Sequence, residues 1–252
     1  MKGLQHPDSR GFELVAEAYE RARPGYPPEL LAWFAERLDL RPGRTVLDLG
    51  AGTGKLSRSL VETGARVLAL EPGDEMRARL AVAVPAAEPI AAGAETIPLP
   101  DASVDAATAG QSFHWFRFEE AVAEVHRVLR PGGGLALVWN ERDPGDPFQH
   151  EISELLEAFL PPWRRRVAEA GWREVIERSG LFTAIEERQS HFGDELDADA
   201  LVERLATVSF VASSSPERRE ELERRLRELA ATQGGVVRFA YLTQAYVTFS
   251  VG

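Results

Sequence analysis

The sequence predicts an α/β protein, a doubly wound and mostly parallel sheet with helical cover. The first observation is residues 45–56, where the apolar run Thr45–Leu49 breaks into Gly50, Gly52 and Gly54 and resumes at helical spacing through Leu56, Leu60 and Val61. A short run of this kind, closed by glycines and followed by a 3.6-residue period, opens a βαβ unit, and in open α/β sheets ligands bind just beyond such strand ends. The second is that strand-like and helical stretches keep alternating as far as Leu135–Trp139. The third is composition: 252 residues, 44% hydrophobic and without cysteine, make one large domain, or a domain with a lid, that needs neither disulfides nor a thiolate metal site.

Three readings compete for the glycine loop, and spacing separates them. A dinucleotide fingerprint, G-x-G-x-x-G, needs glycine at 55, where the chain has Lys55. A phosphate-binding P-loop needs glycine at 49 and Ser or Thr at 56, which are Leu49 and Leu56. What remains is Asp48-x-Gly50-x-Gly52-x-Gly54, with an acid, Glu71, at the end of the next apolar run and nineteen residues after Gly52. This pattern resembles the first two motifs of the class I S-adenosylmethionine-dependent methyltransferases. The resemblance implies the Rossmann-like, seven-stranded sheet of that family and S-adenosyl-L-methionine as cofactor. It lays the backbone of Gly50, Ala51, Gly52, Thr53 and Gly54 under the methionine and ribose parts, sets Asp48 at the amino-acid end, and makes Glu71 the acceptor for both ribose hydroxyls.

Before the loop, Phe12, Val15, Ala16 and Tyr19 have helical spacing in residues 11–23, and the prolines of Arg23-Pro24-Gly25-Tyr26-Pro27 stop that helix. Pro28 then starts a second helix with the stripe Leu30, Leu31, Phe34, Leu38. The segment Tyr19…Arg23-Pro-Gly-Tyr26-Pro is similar to the N-terminal segment of small-molecule methyltransferases of the trans-aconitate group, where it folds over the cofactor. Residues 1–40 are accordingly expected to form lid and packing helices, 41–142 the cofactor-binding core, and 143–252 the rest of the sheet with inserted helical cover.

Within the core, Arg66–Leu70 reads as the second strand, ending at Glu71-Pro72, and Asp74 as the N-cap of the next helix. The resemblance sets Met76 against the adenine, adds Pro72 and Gln111 to the cofactor residues, and matches Gly93–Pro100 to the loop closing on the adenine. Many relatives have an aspartate where this chain has Gly93, so Glu95 or the backbone near Ala94 is expected to replace it. Glu88–Ala92 is read as a third strand, Asp101–Ala109 as the motif running through the fourth, and Glu119–Arg130 as a helix stopped by Pro131-Gly132-Gly133-Gly134 before the fifth strand, Leu135–Trp139.

Beyond Trp139, Asp143–Trp163 carries four prolines and the stripe Ile152, Leu155, Leu156, Phe159, read as an insertion over the pocket. Trp172–Ser179 is helical and stops at Gly180, Phe182–Phe192 is strand-like, residues 197–211 and Pro216–Ala231 are helices, and Val236–Val251 alternates as a last strand.

The chemistry asked of the chain is modest. Displacement at a sulfonium methyl acts on an activated carbon, so orientation and exclusion of water dominate. His114, just after the fourth strand, is the general-base candidate for a hydroxyl, amine or carbon acid. A carboxylate acceptor would need no base, and Arg23 or Arg142 would hold such an anion. Tyr19, Tyr26 and Trp115 complete the expected lid and substrate wall. The charge of −11 argues against a nucleic-acid partner, as does Ala109-Gly110-Gln111-Ser112 in place of the Asp/Asn-Pro-Pro-aromatic run of base-amine enzymes. No apolar run reaches eighteen residues and the first ten are polar, so neither a membrane span nor a secretory signal is expected and the cytoplasm is the default. No metal site is expected. The alternatives are a protein that binds the cofactor without turnover and, disfavoured by the missing third glycine, a nicotinamide oxidoreductase.

Overall fold

The computed structural model describes residues 16–160 and 171–251, apart from the side chains of Ala16, Glu17 and Tyr19. Seven strands form one sheet: β1 (Thr45–Leu49), β2 (Arg66–Leu70), β3 (Glu88–Ile90), β4 (Val104–Gly110), β5 (Leu129–Arg142), β6 (Glu186–Asp197) and β7 (Val236–Phe249). Their order is β3-β2-β1-β4-β5-β7-β6. The first five run parallel, and β7 enters antiparallel between β5 and β6. Chain order reverses between β1 and β4, so the crevice beyond their carboxyl ends is where a ligand belongs.

Central parallel strands are covered on both faces and therefore read as continuous apolar runs; Val46, Leu47 and Leu49 of β1 have no exposed surface. On one face Pro28–Arg37, Lys55–Glu62 and Asp74–Ala83 bring Phe34, Leu56, Leu60 and Leu80 against Val46, Val67 and Val138. On the other, Phe118–Val128 and Trp172–Ser179 bring Val122, Val125 and Ile176 against Leu47, Leu70 and Leu137. A third cluster joins Pro147–Glu157, Ala198–Ala206 and Pro216–Thr232 to Val237, Phe239 and Tyr241 of β7. Pro147–Glu157 was expected over the pocket, but among the described residues no member of 143–160 lines the cavity beyond those strand ends.

Several boundaries differ from expectation. Phe12, Val15, Pro161–Trp163 and the side chain of Tyr19 lie outside the description; the first described helix is Ala16–Ala22. Gly73, not Asp74, is the N-cap of Asp74–Ala83, because its extended backbone precedes the first helical turn; Asp74 instead takes the guanidinium of Arg77. The third strand ends at Ile90. The helix Phe118–Val128 stops before Pro131 because Leu129 already pairs with Val104, and residues 130–133 form an irregularity in β5 with Gly132 at φ 75°. β6 begins only at Glu186, with Phe182 making an isolated bridge to Ser250. It lies at the sheet edge, where charge protects the strand, and that polarity obscures its alternation. Residues 197–211 split into Ala198–Ala206 and Ser209–Ala212. Trp172–Ser179 ends where predicted, with Gly180 at φ 66°.

Candidate active site

A cavity of about 270 Å³ opens beyond the carboxyl ends of β1, β2 and β4, roofed by Arg23–Tyr26 from the N-terminal side and by Val208 and Ser209 from the cover. Its volume lies near the lower end of small-molecule sites, roughly 300–1,000 Å³. The glycine loop forms one wall. Gly50, Gly52 and Gly54 have φ of 61°, 58° and 91°, a region that side chains with a Cβ resist. Gly52 lines the cavity, and a Cβ built on it meets nothing within 4 Å. Glu71 closes β2 with both carboxylate oxygens on backbone donors, Oε2 accepting from Gly52 N at 2.9 Å and Oε1 from Gly73 N at 2.8 Å. It thereby ties the loop after β1 to the turn after β2. Met76, 5% exposed, and Pro72 line the same end.

Asp48 is buried at the end of β1, its carboxylate accepting from Ser57 Oγ at 2.6 Å and Thr108 Oγ1 at 3.1 Å. Burial pushes its pKa up from 3.8 to about 6, with the two hydroxyls opposing the shift and the neighbouring Glu71 charge adding to it. Because the folded value lies above the unfolded one, the folded chain binds more protons between about pH 4 and 6, and this group lowers stability as pH rises through that window. Asp48→Asn is expected to abolish that decline, worth at most about 3 kcal/mol at roughly 1.4 kcal/mol per unit. Unfolding free energies of both proteins across the window check this; parallel curves would contradict it.

The N-terminal strap is fastened to the loop by Glu20. Its carboxylate accepts from Thr53 Oγ1 at 2.5 Å and pairs with Arg58 at 2.8 Å, while its carbonyl accepts from Lys55 Nζ at 2.6 Å. Further along, Arg23 Nε donates to Thr207 Oγ1 at 2.8 Å and Asn140 Nδ2 to Gly25 O at 2.9 Å. Tyr26 reaches the floor: a Cβ on Gly110 would lie 2.4 Å from its hydroxyl oxygen. The strap therefore spans the crevice from the glycine loop to the cover.

His114 also lines the cavity, in the short 3-10 turn Phe113–Trp115, tilted against Trp115 with ring centroids 4.7 Å apart. Trp139 Nε1 donates to His114 Nδ1 at 3.1 Å. An indole N–H only donates, so Nδ1 is the acceptor and the neutral ring carries its proton on Nε2. One of the two ring nitrogens is thereby engaged by the protein itself.

Of the expected residues, the cavity gathers Asp48, Gly50, Ala51, Gly52, Thr53, Glu71, Pro72, Met76, Gln111, Arg23, Tyr26, His114 and Trp115. Gln111 holds φ 56° and donates through Nε2 to Asn140 O at 2.8 Å. Gly54 is the N-cap of Lys55–Glu62, and its absent Cβ makes room for Val84 and Leu80 instead of a ligand. Ala94 and Glu95 are not on the cavity: Ala94 is core, and Glu95 Oε1 accepts from Arg117 N at 2.9 Å, so that carboxylate caps a helix start. Arg142 is also off the lining. It pairs in register with Tyr241 and donates to Ser153 Oγ at 3.1 Å, and burial followed by the Arg23 charge holds its pKa below the usual arginine value. Asn140, Val208, Ser209 and Tyr241 line the cavity and were not foreseen. Among the described residues no cluster suits a metal ion and no helix is long and apolar enough to cross a membrane.

Comparison with known proteins gives these features a family. Residues 47–137 match the methyltransferase domain family. An uncharacterized methyltransferase of Mycobacterium tuberculosis is 38% identical over 243 residues, 96% of this chain and 95% of the relative. The malonyl-[acyl-carrier protein] O-methyltransferase of Serratia marcescens is 35% identical over 185 residues, 67% of this chain and 71% of the relative. Among solved structures, a candidate type II methyltransferase from Anaeromyxobacter dehalogenans superposes with a TM-score of 0.64 at 30% identity, covering 89% of this chain and 97% of the other. None of these names refers to the trans-aconitate group. A relationship that runs through nearly the whole chain, on a sheet of this strand order, shows that the chain belongs to the class I S-adenosylmethionine-dependent methyltransferases and is an enzyme.

Proposed function

We propose that this enzyme moves a methyl group from S-adenosyl-L-methionine to a small molecule bearing an anionic oxygen, a carboxylate in the simplest case. The observation that carries this is the guanidinium of Arg23 on the cavity lining. Among the described lining residues the only carboxylates are Asp48 and Glu71, Lys55 adds a cation beside the glycine loop, and the strap supplies Arg23, with His114 and Tyr241 as further polar groups. An acceptor carboxylate attacks the methyl carbon with an oxygen lone pair, the carbon–sulfur bond breaks with its pair passing to sulfur, and no proton has to move. A wall whose histidine lone pair is already engaged suits that reaction. The Serratia relative is named for O-methylation, which supports an oxygen nucleophile. The roof of Arg23–Tyr26 and Val208–Ser209 favours a compact acceptor over a polymer, and the charge of −11 weighs against nucleic acid.

The Gly50–Gly54 backbone, Glu71, Pro72, Met76 and Gln111 would hold the cofactor, with Asp48 beneath its ammonium group. Calorimetric titration is expected to show binding of S-adenosylmethionine and its demethylated product and far weaker binding of nicotinamide dinucleotides. Tight dinucleotide binding without response to the sulfur ligands would sink this reading. A screen of small acids, phenols and amines with methyl-labelled cofactor should then place label on acids first; exclusive labelling of amines would overturn the acceptor class while leaving the cofactor intact.

A further inference from the structure

We propose that Glu20 latches the N-terminal strap over the cavity, so that the strap has to lift for the cofactor to enter or leave and Glu20 sets the rate of that exchange. The gate rests on the cofactor lying against Gly50–Gly54, as read above; the latch does not. Both carboxylate oxygens and the carbonyl of Glu20 are engaged. Oε2 accepts from Thr53 Oγ1 at 2.5 Å and lies 3.6 Å from Lys55 Nζ, Oε1 accepts from Arg58 at 2.8 Å, and the carbonyl accepts from Lys55 Nζ at 2.6 Å. Thr53 and Lys55 line the cavity and Arg58 does not. One strap residue therefore grips both the cavity wall and the helix Lys55–Glu62 that follows it.

The strap around this point is held by polar contacts. Among the described residues no member of Ala16–Ala22 belongs to any of the three apolar clusters. The side chain of Glu20 is 26% exposed and that of Lys55 16%, against 59% for Arg21 in its pair with Glu203, and an exposed ion pair contributes little. Glu20 is accordingly the stronger fastening of the two. The other end of the strap is fixed differently, because Tyr26 packs against the cluster of Leu30, Phe34 and Val46 and Asn140 holds Gly25 O. Segments with few buried apolar contacts open far more readily than segments anchored in a core, so the part to lift is Ala16–Ala22, with Tyr26 as its anchor. Lifting also answers a need for space. A cavity of about 270 Å³ is near the lower end of the range for one small molecule, and methyl transfer requires cofactor and acceptor side by side.

A gate and a binding contact leave different kinetic signatures. Losing a latch that is closed with and without ligand speeds entry and exit alike, whereas losing a contact to the ligand speeds exit alone. Stopped-flow fluorescence with S-adenosylhomocysteine, reported by Trp115 on the cavity lining, reads both rate constants. Glu20→Ala is expected to raise each at least about tenfold, the value of one hydrogen bond to a charged group, with the dissociation constant held within about threefold. Arg58→Met, which removes one latch partner without touching the cavity lining, should raise both rates by a smaller factor, and combined with Glu20→Ala it should change nothing further. Faster exit with unchanged entry would make Glu20 a holder of the ligand and overturn the gate, and so would unchanged rates. Hydrogen exchange of the ligand-free protein reads the latch itself. Amides of Ala16–Ala22 should exchange faster in Glu20→Ala while those of Thr45–Leu49 do not, and equal protection of the strap in both proteins overturns the latch whatever the ligand does. Absence of binding by the unsubstituted protein would sink the cofactor reading and the gate with it, while the strap's exchange would still respond to Glu20→Ala, which tells the two failures apart.

Discussion

Replacing Glu71 with alanine is expected to weaken binding of S-adenosylmethionine at least about tenfold in a chain that still folds. Each carboxylate oxygen accepts from one backbone amide, Gly52 N or Gly73 N, and a carboxylate oxygen has lone pairs for two donors. A ribose diol supplies two. A hydrogen bond to a charged group contributes about 1.5–3 kcal/mol, and about 1.4 kcal/mol is a factor of ten in affinity, so losing one bond accounts for tenfold and losing both for roughly a hundredfold or more. Alanine also releases the two amides, which would loosen the turn and exaggerate the effect. Glu71→Gln separates these contributions, since one carbonyl oxygen can still accept while the other position becomes a donor; an intermediate loss is expected. Calorimetric dissociation constants and melting curves for the three proteins check this. An unchanged constant in a folded alanine variant would remove Glu71 from the cofactor site.

What the sequence disclosed about this site was local, and what it concealed depends on chain segments far apart. The Gly50–Gly54 turn and Glu71 were legible because a strand end, glycines and an acid carry their chemistry within one βαβ unit. Asn140 and Tyr241 were not: they reach the cavity because β7 runs antiparallel beside β5, pairing Asn140 with Thr243 and Arg142 with Tyr241, a register that alternation in residues 236–251 does not reveal. Glu95 failed for the opposite reason. Its neighbourhood resembles an adenine-closing loop, but its carboxylate is claimed by the backbone of Arg117, twenty-two residues on. The same limit governs His114, whose place after β4 was evident and whose hydrogen-bond partner, an indole twenty-five residues away, was not.

Gly50→Ala is expected to damage the fold around the site severely. Gly50 sits at φ 61°, and an added Cβ would lie 2.7 Å from Ser112 Cβ and 3.3 Å from the Phe116 ring. Ser112 is poorly able to yield, because its Oγ donates to Leu49 O at 2.6 Å and so joins the ends of β1 and β4; Phe116 is packed edge-on against Phe113 at 5.4 Å. A left-handed backbone costs a residue with a Cβ roughly 1–2 kcal/mol, and overpacking adds about 1–3 kcal/mol. For a chain of this length that sum lowers the melting temperature by roughly 5–15 °C. Gly52→Ala provides the contrast, since its Cβ meets no atom within 4 Å and only the backbone cost remains, about 1–2 kcal/mol, while the methyl group adds bulk to the loop against which the cofactor is proposed to lie. The two variants should therefore split, Gly50→Ala losing stability most and Gly52→Ala losing cofactor affinity with a smaller fall in melting temperature. Wild-type melting of Gly50→Ala would show that the Ser112 contact is not rigid, and wild-type affinity of Gly52→Ala would show that the cofactor does not lie against the loop.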